Sequence, residues 1–356
     1  MENPRGCMVN TAIAIILYIS IVPSACAQSD TSSLKCQQLP ALPHPTGFAA
    51  PFAGVSNGAL IVAGGANFPG AMPWEGGQKV WHDSVFVLPA PGGQWISGFK
   101  LSRPIAYGVS VTCAQGILCA GGSDSHGHSR DVFLLQWTNN RIETKPLPAL
   151  PRPMANGCGA LVGNTVYLAG GTETPDATNA MKNFWALDLS KPGLPWRELD
   201  PWPGPARMLA VAGVVKGDFF LVSGVELHGS PNGKPVRRYL TDAFRFTHRK
   251  SWTRLADLPR AAAAAPSPAI AEDNQLLVVS GDDGALVDFE PKSRHPGFPK
   301  TVLAYDPRRD RWRNLGDSQL SRATAPVVNW RGRAVIVNGE VRPGQRTPEV
   351  WALNEH

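Results

Sequence analysis

Short apolar runs that end in a small residue and glycine recur along the chain. They are ALIVAGG, GILCAGG, TVYLAGG, FFLVSG, LLVVSG and AVIVNG, ending at Gly65, Gly122, Gly171, Gly224, Gly281 and Gly339. The intervals between these glycines are 57, 49, 53, 57 and 58 residues. Apolar runs bounded by glycine are typical of β-strands, and no segment shows the sustained periodicity of a helix. The pattern therefore predicts an internal repeat built from strands.

Each repeat contains more than this one strand. A polar loop and a second apolar run follow it, namely SVFVLPA, DVFLLQW, NFWALDL, AFRFTHR, TVLAYDP and EVWALNE. A tryptophan often opens a third run, as at Trp95, Trp196, Trp252 and Trp312. A further stretch of small and apolar residues precedes each glycine run. We therefore predict four strands per repeat, and we interpret the alanines of residues 261–265 as linker and inner strand rather than helix.

A period near 50 residues with a double glycine and a later tryptophan resembles the kelch repeat, which builds β-propellers. The physical argument agrees, because a four-stranded sheet with two apolar faces is covered on both sides when such sheets stack in a ring. Glycine suits the place where strands crowd near the axis and a side chain would clash. We predict an all-β fold, a six-bladed kelch-like β-propeller.

The sixth repeat lacks an outer strand of its own. Its segments TAPVVNW, AVIVNG and EVWALNE supply the first three strands. Near the N-terminus, SLKCQQLPALPHP resembles the blade-ending segments RIETKPLPALPRP and WTRLADLPRA. We expect it to provide the missing strand, so that the N- and C-terminal strands pair in one blade. Closing the ring in this way removes exposed sheet edges.

The N-terminal segment has the features of a signal peptide. A basic residue precedes the apolar run TAIAIILYISIV, which is too short for an ordinary membrane span, and an Ala-Cys-Ala cleavage motif precedes Gln28. The expected organisation is a signal peptide, residues 1–27, and a single propeller domain, residues 28–356, in an exported, periplasmic protein. The alternatives are a lipoprotein modified at Cys26 and a secreted protein.

Composition and charge narrow the class of protein. With 36 glycines, 33 prolines and 17% charged side chains in 356 residues, the chain suits many short strands and tight turns. The net charge of +6 comes from scattered arginines rather than basic runs. This distribution favours mild attraction for anionic ligands over nucleic-acid binding.

The cysteines beyond residue 27 leave two alternatives. They are Cys36, Cys113, Cys119 and Cys158, and none forms a Cys-x-x-Cys pair that would indicate a zinc site. In an oxidising compartment, Cys113 and Cys119 are expected to face each other across a hairpin and could form a disulfide. Reduced cysteines that pack as small hydrophobic residues are the other alternative.

In a propeller, the loops after the glycine runs and the junctions between blades converge on one mouth of the channel. A rigid scaffold usually carries function on such loops. The junctions carry Arg103, Arg152, Arg207, Arg260 and Arg322, with His44 in the sixth place. These arginines either brace neighbouring blades or form a partial ring of cations for a carboxylate ligand.

Signals for a metal or cofactor are weak. Asp124, His126 and His128 in SDSHGHSR could ligate a metal, but a His-x-His loop with one acid is more typical of a solvated turn. No Gly-x-Ser-x-Gly elbow is present. Copper radical oxidases share the kelch-like fold, yet no convincing copper ligand set stands out. We expect no metal and no cofactor.

One segment gives a more specific resemblance. NGEVRPGQRT is similar to a motif of bacterial N-acetylneuraminate epimerases (sialic acid mutarotases), which are six-bladed kelch-like propellers of the periplasm. The segments GFAAPFAGVSNGALIVAGGANFPG, QKVWHD and RPIAYGVSV also resemble that family. In its better-known members this blade lies inside the chain, whereas here it is at the C-terminal end. The sequence thus resembles the cyclically permuted branch, and a closed ring tolerates such a shift.

The resemblance implies an isomerase that interconverts the α and β anomers of N-acetylneuraminate. It implies Glu340 as proton acceptor and Arg346 as the group that binds the substrate carboxylate or stabilises negative charge. From the residues alone, Glu340 could instead be a loop carboxylate paired with Arg342 or Arg346. Further substrate-binding candidates, chosen because they lie in mouth loops or junctions, are Asn67, Lys79, Tyr107, Glu173, Arg207 and Glu226.

The competing function is a non-catalytic kelch propeller that binds glycans or a protein partner. An oxidase or lyase on the same fold would require a metal or radical cofactor that the sequence does not indicate. The expected partner is a small sugar acid. Nucleic acid is not expected as a partner. A membrane is not expected either, unless Cys26 is lipidated. The sequence leaves open which group protonates the ring oxygen and whether the protein oligomerises.

Overall fold

The computed structural model describes residues 1–2, 34–229, 235–247 and 250–353. The described residues from Leu34 onward form one compact unit. Nearly all of the predicted signal peptide lies outside the described residues, so its boundary and the export of the protein stay predictions. Within the described ranges, no helix combines the length and apolar character needed to cross a bilayer.

Six four-stranded antiparallel sheets, or blades, build the protein. From the channel outward, the strands are Phe52–Ser56, Ala59–Ala63, Ser84–Leu88 and Ile96–Lys100 in blade 1; Val109–Cys113, Gly116–Ala120, Val132–Thr138 and Arg141–Leu147 in blade 2; Cys158–Val162, Thr165–Ala169, Phe184–Asp188 and Arg197–Glu198 in blade 3; Val211–Val215, Asp218–Val222, Ala243–Thr247 and Lys250–Leu255 in blade 4; Ile270–Glu272, Gln275–Val279, Thr301–Asp306 and Arg311–Asp317 in blade 5; and Val327–Trp330, Arg333–Val337, Val350–Leu353 and Cys36–Leu39 in blade 6. The predicted six-bladed, all-β propeller is confirmed.

Blade 6 joins the two ends of the described chain. Its outer strand pairs antiparallel with Val350–Leu353, with Cys36 opposite Leu353 and Leu39 opposite Val350. Leu39 and Val350 are both buried in the core between blades 6 and 1. The ring is therefore closed by a strand from the N-terminal side, as the blade-ending sequence predicts.

The core lies between the blades, because alternate side chains of a strand point to opposite faces of its sheet. In blade 1, Leu60 and Val62 pack with Val335 of blade 6, whereas Ile61 packs with Ile117 of blade 2. Both faces of each sheet are therefore covered. This explains why the strand sequences are continuous apolar runs rather than alternating ones.

The four repeated tryptophans connect blades 1, 3, 4 and 5 to the segments that lead into them. Their indole N–H groups donate to backbone carbonyls at 2.9 Å, in the pairs Trp95–Pro40, Trp196–Pro148, Trp252–Asp200 and Trp312–Ala256. Each carbonyl belongs to the segment after the preceding blade. An indole that buries its ring and still satisfies its N–H is well suited to this position.

A closed belt of backbone hydrogen bonds surrounds the channel at the blade junctions. Each belt residue donates its N–H to the carbonyl of the previous one, in the pairs Tyr107–Ala50, Asn156–Tyr107, Leu209–Asn156, Ala264–Leu209, Thr324–Ala264 and Ala50–Thr324, at 2.7–3.0 Å. All six have φ between 45° and 63°. This left-handed conformation is unfavourable for residues other than glycine, and the ring of hydrogen bonds holds it in place.

The residue after each glycine run pairs with the residue before the belt. These bridges are Ala66–Ala49, Ser123–Ala106, Thr172–Ala155, Val225–Met208, Asp282–Ala263 and Glu340–Ala323. The glycine run itself is pressed against the next junction. At Gly64, where φ is +67°, a Cβ would lie 2.3 Å from the carbonyl oxygen of Ile105. Six equivalent positions are thereby fixed around the mouth.

The loops above these positions contain little regular structure. Among the described residues, it consists of the strand pairs Ala66–Asn67 with Val80–Trp81, Ser123–Asp124 with Gly127–His128, Val225–His228 with Val236–Tyr239, and Glu340–Arg342 with Gln345–Arg346, and of the 3-10 turns Pro73–Glu75 and Lys292–Arg294. These hairpins project the loops over the channel mouth.

The described cysteines are free thiols. In blade 2, Cys113 lies opposite Gly116 and Cys119 lies opposite Ser110. The expectation that Cys113 and Cys119 face each other was therefore wrong, because the hairpin register offsets them along the strands. Burial raises the pKa of the Cys158 thiol to about 12, as expected for a cysteine that packs as a small hydrophobic residue.

Candidate functional site

A cavity of about 640 Å³ opens at the mouth where the loops after the glycine runs converge. We call it the mouth cavity. Its floor contains the belt residues Tyr107, Asn156, Leu209, Ala264 and Thr324, and loops from all six blades contribute to its wall. Ligand cavities in proteins typically measure roughly 300–1,000 Å³. The mouth cavity therefore has room for a sugar-sized ligand.

The belt separates the mouth cavity from a narrower channel. This constriction is about 90 Å³ in volume and shares the same five belt residues. Ser110, Gly159 and Pro268 line both the constriction and a cavity of about 650 Å³ at the opposite mouth. The base and cation candidates of the sequence motif, Glu340 and Arg346, both lie on the loop side of the belt.

Glu340 and Arg346 meet across a short hairpin in the mouth cavity. They are antiparallel partners, and Arg346 Nη2 lies 3.3 Å from Glu340 Oε1. The other carboxylate oxygen, Oε2, accepts the N–H of Gly344 at 3.1 Å. Arg342 contacts Gln345 instead. Of the two arginines considered as partners of Glu340, the structure thus pairs it with Arg346.

The guanidinium of Arg346 is buried, and two of its nitrogen atoms have no hydrogen-bond partner among the described residues. Only 4% of its side chain is exposed, and its Cζ lies 4.7 Å from the centre of the Phe68 ring. Nη2 also lies 3.4 Å from the Tyr107 hydroxyl oxygen. Among the described residues, its Nε and Nη1 atoms have no hydrogen-bond partner. Buried donors normally have partners, so this side chain is equipped to bind an anionic oxygen ligand.

Lys79 and Tyr107 complete a cationic side of the cavity. The ammonium of Lys79 lies 4.9 Å from the centre of the Tyr107 ring and 5.7 Å from that of Trp81. Loops of blades 1 and 6 and the junction between blades 1 and 2 meet here. Two positive charges beside one carboxylate, Glu340, give this side a net attraction for an acidic ligand.

Two of the predicted binding residues lie in the protein interior, outside the cavity. Asn67 is fully buried, donates to Thr46 Oγ1 and the Gly47 carbonyl at 3.0 Å, and contacts His82 at 2.8 Å. Arg207 is also fully buried and pairs with Asp242. Both side chains are saturated by protein partners, so this geometry gives no support to roles in ligand binding.

Glu173 and Glu226 form ion pairs in the loops without lining the cavity. Glu173 lies 3.3 Å from Arg152, and both side chains are nearly half exposed. Glu226 accepts a bond of 2.7 Å from Arg238 Nε and lies 3.0 Å from His228 Nε2. We therefore leave both out of the proposed site, which keeps Glu340, Arg346, Tyr107 and Lys79 from the predicted set.

The junction arginines brace the scaffold. Arg103 binds Asp124 and Asp131, Arg260 donates to the Ser280 and Thr301 carbonyls, and Arg322 binds Glu349. Neither these three nor Arg152 and Arg207 line the mouth cavity. Of the two alternatives for these arginines, the contacts match bracing.

Asp282 is a cavity residue that the sequence interpretation missed. It holds in blade 5 the position that Glu340 holds in blade 6, directly after the glycine run. Its carboxylate accepts the hydroxyl of Tyr239 at 2.9 Å. Burial, together with that negative charge, raises the pKa of Tyr239 to about 12. Alignment of the six repeats at their glycines would have revealed this second carboxylate.

Two histidines also line the cavity. Burial lowers the pKa of both His128 and His295. His128 Nε2 lies 3.1 Å from Thr172 Oγ1, and His295 Nδ1 accepts the N–H of Gly297 at 3.0 Å. This bond leaves the proton of neutral His295 on Nε2.

Of the three residues considered as metal ligands, Asp124 and His126 lie together, with His126 Nδ1 3.6 Å from Asp124 Oδ1, whereas His128 contacts Thr172. Asp124 is engaged by Arg103, the His126 side chain is 91% exposed, and His128 lines the cavity. Within the described ranges, no group of three or more His, Cys, Asp or Glu side chains is placed to hold a metal ion.

The sequence matches the model of a known protein family. The model of the family described as N-acetylneuraminate epimerase matches residues 19–144 and 147–289. The chain belongs to the N-acetylneuraminate epimerase family. The matched residues include Lys79, Tyr107 and Asp282, whereas Glu340 and Arg346 lie beyond them in blade 6.

Curated relatives share the family description. N-acetylneuraminate epimerases of Haemophilus influenzae (strain PittEE), Yersinia pestis (strain Pestoides F) and Pasteurella multocida (strain Pm70) are 29%, 27% and 28% identical over 226, 231 and 228 residues. Each alignment covers 56–57% of this chain. The chain spans about 57% of the length of these relatives.

A solved structure supports the fold. The structure of YjhT covers 88% of this chain and 95% of its own, with a TM-score of 0.64 and 15% sequence identity. At this identity the likeness concerns the fold alone.

Proposed function

We propose that the protein is a mutarotase that interconverts the α and β anomers of N-acetylneuraminate or a closely similar sugar acid. The observation that carries the proposal is the Glu340–Arg346 pair inside a sugar-sized cavity. It provides a proton acceptor next to a buried cation with unpaired donors. Family membership supplies the substrate class.

The reaction needs two proton transfers around one bond cleavage. The carboxylate of Glu340 takes the proton of the anomeric hydroxyl, the bond from the anomeric carbon to the ring oxygen breaks, and the electron pair stays on that oxygen, which gains a proton. The resulting ketone turns and closes on its other face by the reverse transfers. Glu340 then returns to its ionised form, so the cycle consumes nothing.

Arg346 and Lys79 provide the electrostatic part of this mechanism. The unpaired N–H groups of Arg346 bind the substrate carboxylate next to the anomeric carbon. Because the same guanidinium contacts Glu340, it places the proton acceptor beside that carbon. Lys79 adds a second positive charge, which attracts the acidic sugar into the cavity.

The test is nuclear magnetic resonance of freshly dissolved β-N-acetylneuraminate with and without the protein. We expect anomer equilibration to be faster with protein. Equilibration at the spontaneous rate, with saturable binding of the sugar, would instead favour the non-catalytic glycan-binding propeller. Equilibration at that rate without binding would reject both.

A further inference from the structure

We propose, building on the mutarotase function above, that Tyr107 is the second proton carrier of the site. In this assignment its hydroxyl protonates the ring oxygen while Glu340 takes the proton of the anomeric hydroxyl. The reaction requires such a donor, and neither the family resemblance nor the comparisons assign one.

The geometry places the Tyr107 hydroxyl close to the base. A single nitrogen, Arg346 Nη2, lies 3.3 Å from Glu340 Oε1 and 3.4 Å from the Tyr107 hydroxyl oxygen. The two oxygens are therefore at most 6.7 Å apart. The two oxygens of a hemiketal sit on the same carbon, and each needs a hydrogen bond of about 2.7 Å. A base and an acid separated by this distance can reach both.

Two cations lie beside Tyr107. Arg346 contacts its hydroxyl, and Lys79 lies 4.9 Å from the centre of its ring. A phenol that gives up its proton becomes negative, and two adjacent cations stabilise that negative charge. The third charged group nearby, Glu340, is bound to the same Arg346 nitrogen and loses its charge when it accepts the substrate proton.

The second tyrosine of the cavity makes the opposite contact. The Tyr239 hydroxyl donates to Asp282, and burial and that carboxylate raise the pKa of Tyr239 to about 12. Tyr239 therefore retains its proton beside an anion, whereas Tyr107 lies beside cations. Of the two phenols, Tyr107 is the one whose surroundings suit an acid.

The backbone of Tyr107 is fixed by the belt. Its N–H and carbonyl bond the belt residues on either side, Ala50 and Asn156, at 3.0 and 2.9 Å. Its φ is +63°, a left-handed conformation that is unfavourable for residues other than glycine. The other belt residues are alanine, asparagine, leucine, alanine and threonine. The belt thus fixes the backbone of Tyr107 and places its phenol at the cavity floor.

The proton balance closes over the whole cycle. In ring opening, Glu340 gains the anomeric proton and Tyr107 gives its proton to the ring oxygen. In re-closure, the ring hydroxyl returns a proton to the Tyr107 phenolate, and Glu340 gives its proton to the former carbonyl oxygen. Both side chains end in their starting state.

The test compares Tyr107→Phe with the matched control Tyr239→Phe, which removes the other phenol of the cavity. We expect Tyr107→Phe to lower kcat about 10²–10³-fold with a change of only a few-fold in KM. Tyr239→Phe should keep kcat within a few-fold of the wild type. A Tyr107→Phe enzyme with unchanged kcat, or with a raised KM alone, would overturn the assignment.

A second variant keeps the proposal testable if Tyr107→Phe folds poorly. Fluorotyrosine at position 107 preserves the shape and hydroxyl but is a stronger acid, so the alkaline limb of the kcat profile should move to lower pH. An unmoved limb would contradict an acid role. If the wild type itself fails to speed equilibration, the proposed function and this assignment fall together; an active wild type with an equally active Tyr107→Phe variant rejects only the assignment.

Discussion

Arg207 and Arg346 are both buried arginines, and they differ in what surrounds the guanidinium. Arg207 donates to both oxygens of Asp242 at 2.8 Å and to the Ser223 and Pro205 carbonyls, so each of its nitrogens has a partner. Arg346 has Glu340 at 3.3 Å, and its Nε and Nη1 atoms have no partner among the described residues. Burial and charge therefore do not mark a ligand site, whereas a cavity-lining arginine with unpaired donors does.

The same comparison separates scaffold from site along the sequence. The junction arginine recurs in five of the six repeats, and in each case its contacts are with protein groups outside the mouth cavity. A glutamate and an arginine also pair across the loop hairpin of blade 4, as Glu226 and Arg238, but that arginine is exposed and the pair lies outside the mouth cavity. In a repeat protein, a feature found in most repeats serves the fold, and a charged pair with a buried arginine inside a cavity, such as Glu340 and Arg346, points to function.

The largest effect on stability is expected at the saturated arginine. Arg207→Met should lower the free energy of unfolding by about 3–5 kcal/mol, because it leaves the Asp242 carboxylate without its buried partner. Denaturant titration measures it. Arg152→Met is the matched control, since its ion pair with Glu173 is exposed and should contribute about 0–1 kcal/mol. Equal losses in the two variants would contradict the comparison.

Substitution of Arg346, which has unpaired donors, should reduce activity strongly and stability only weakly. Arg346→Lys keeps a charge but loses most of the N–H groups, and we expect kcat/KM for anomer exchange to fall about 10²-fold. The free energy of unfolding should change less than in Arg207→Met, because no saturated bond network is broken. Steady-state kinetics and denaturant titration of the same preparation check both. A large loss of stability with normal kinetics would assign Arg346 to the scaffold.

Much of the fold was predictable from sequence because its signals are local and repeated. Each repeated signal corresponds to one kind of contact. The tryptophans donate to backbone carbonyls of the preceding segment, and the blade-ending segment near Cys36 supplies an outer strand. Because these signals and the glycine runs recur, the pattern is visible in the sequence. The belt conformation was not predictable. Residues as different as Ala50 and Leu209 adopt the same positive φ, because the closed ring imposes it.

The site was predictable only in part, since side-chain partners come from distant segments. The partner of Arg207, Asp242, is 35 residues away in sequence, and no local pattern distinguishes a saturated arginine from a free one. Asn67 has a polar side chain in a mouth loop, yet it folds inward to Thr46 and His82. Glu340 and Arg346 were found because their hairpin is short and carries a family motif.

The smallest effect is expected in acid, at the ion pair of Arg322 and Glu349. Burial opposes ionisation of Glu349, but bonds from Trp351 and Arg322 outweigh it and hold its pKa below the ordinary 4.5. A carboxyl whose pKa falls on folding stabilises the protein above its unfolded pKa and loses this contribution as pH falls through the folded value. Below about pH 4.5, the wild type should therefore lose stability more steeply than Glu349→Gln. Urea midpoints at several pH values measure this, and parallel curves would contradict it.

The most direct test of the account is the rate of anomer exchange with Glu340→Gln. Beside it, Glu173→Gln serves as the control, because that carboxylate lies in a mouth loop but outside the cavity. By nuclear magnetic resonance of freshly dissolved β-N-acetylneuraminate, we expect wild type and Glu173→Gln to speed equilibration equally. The Glu340→Gln variant should have the same denaturation midpoint as the wild type. With it, equilibration should proceed only at the spontaneous rate. Full acceleration by folded Glu340→Gln would contradict the central claim that this carboxylate carries the proton.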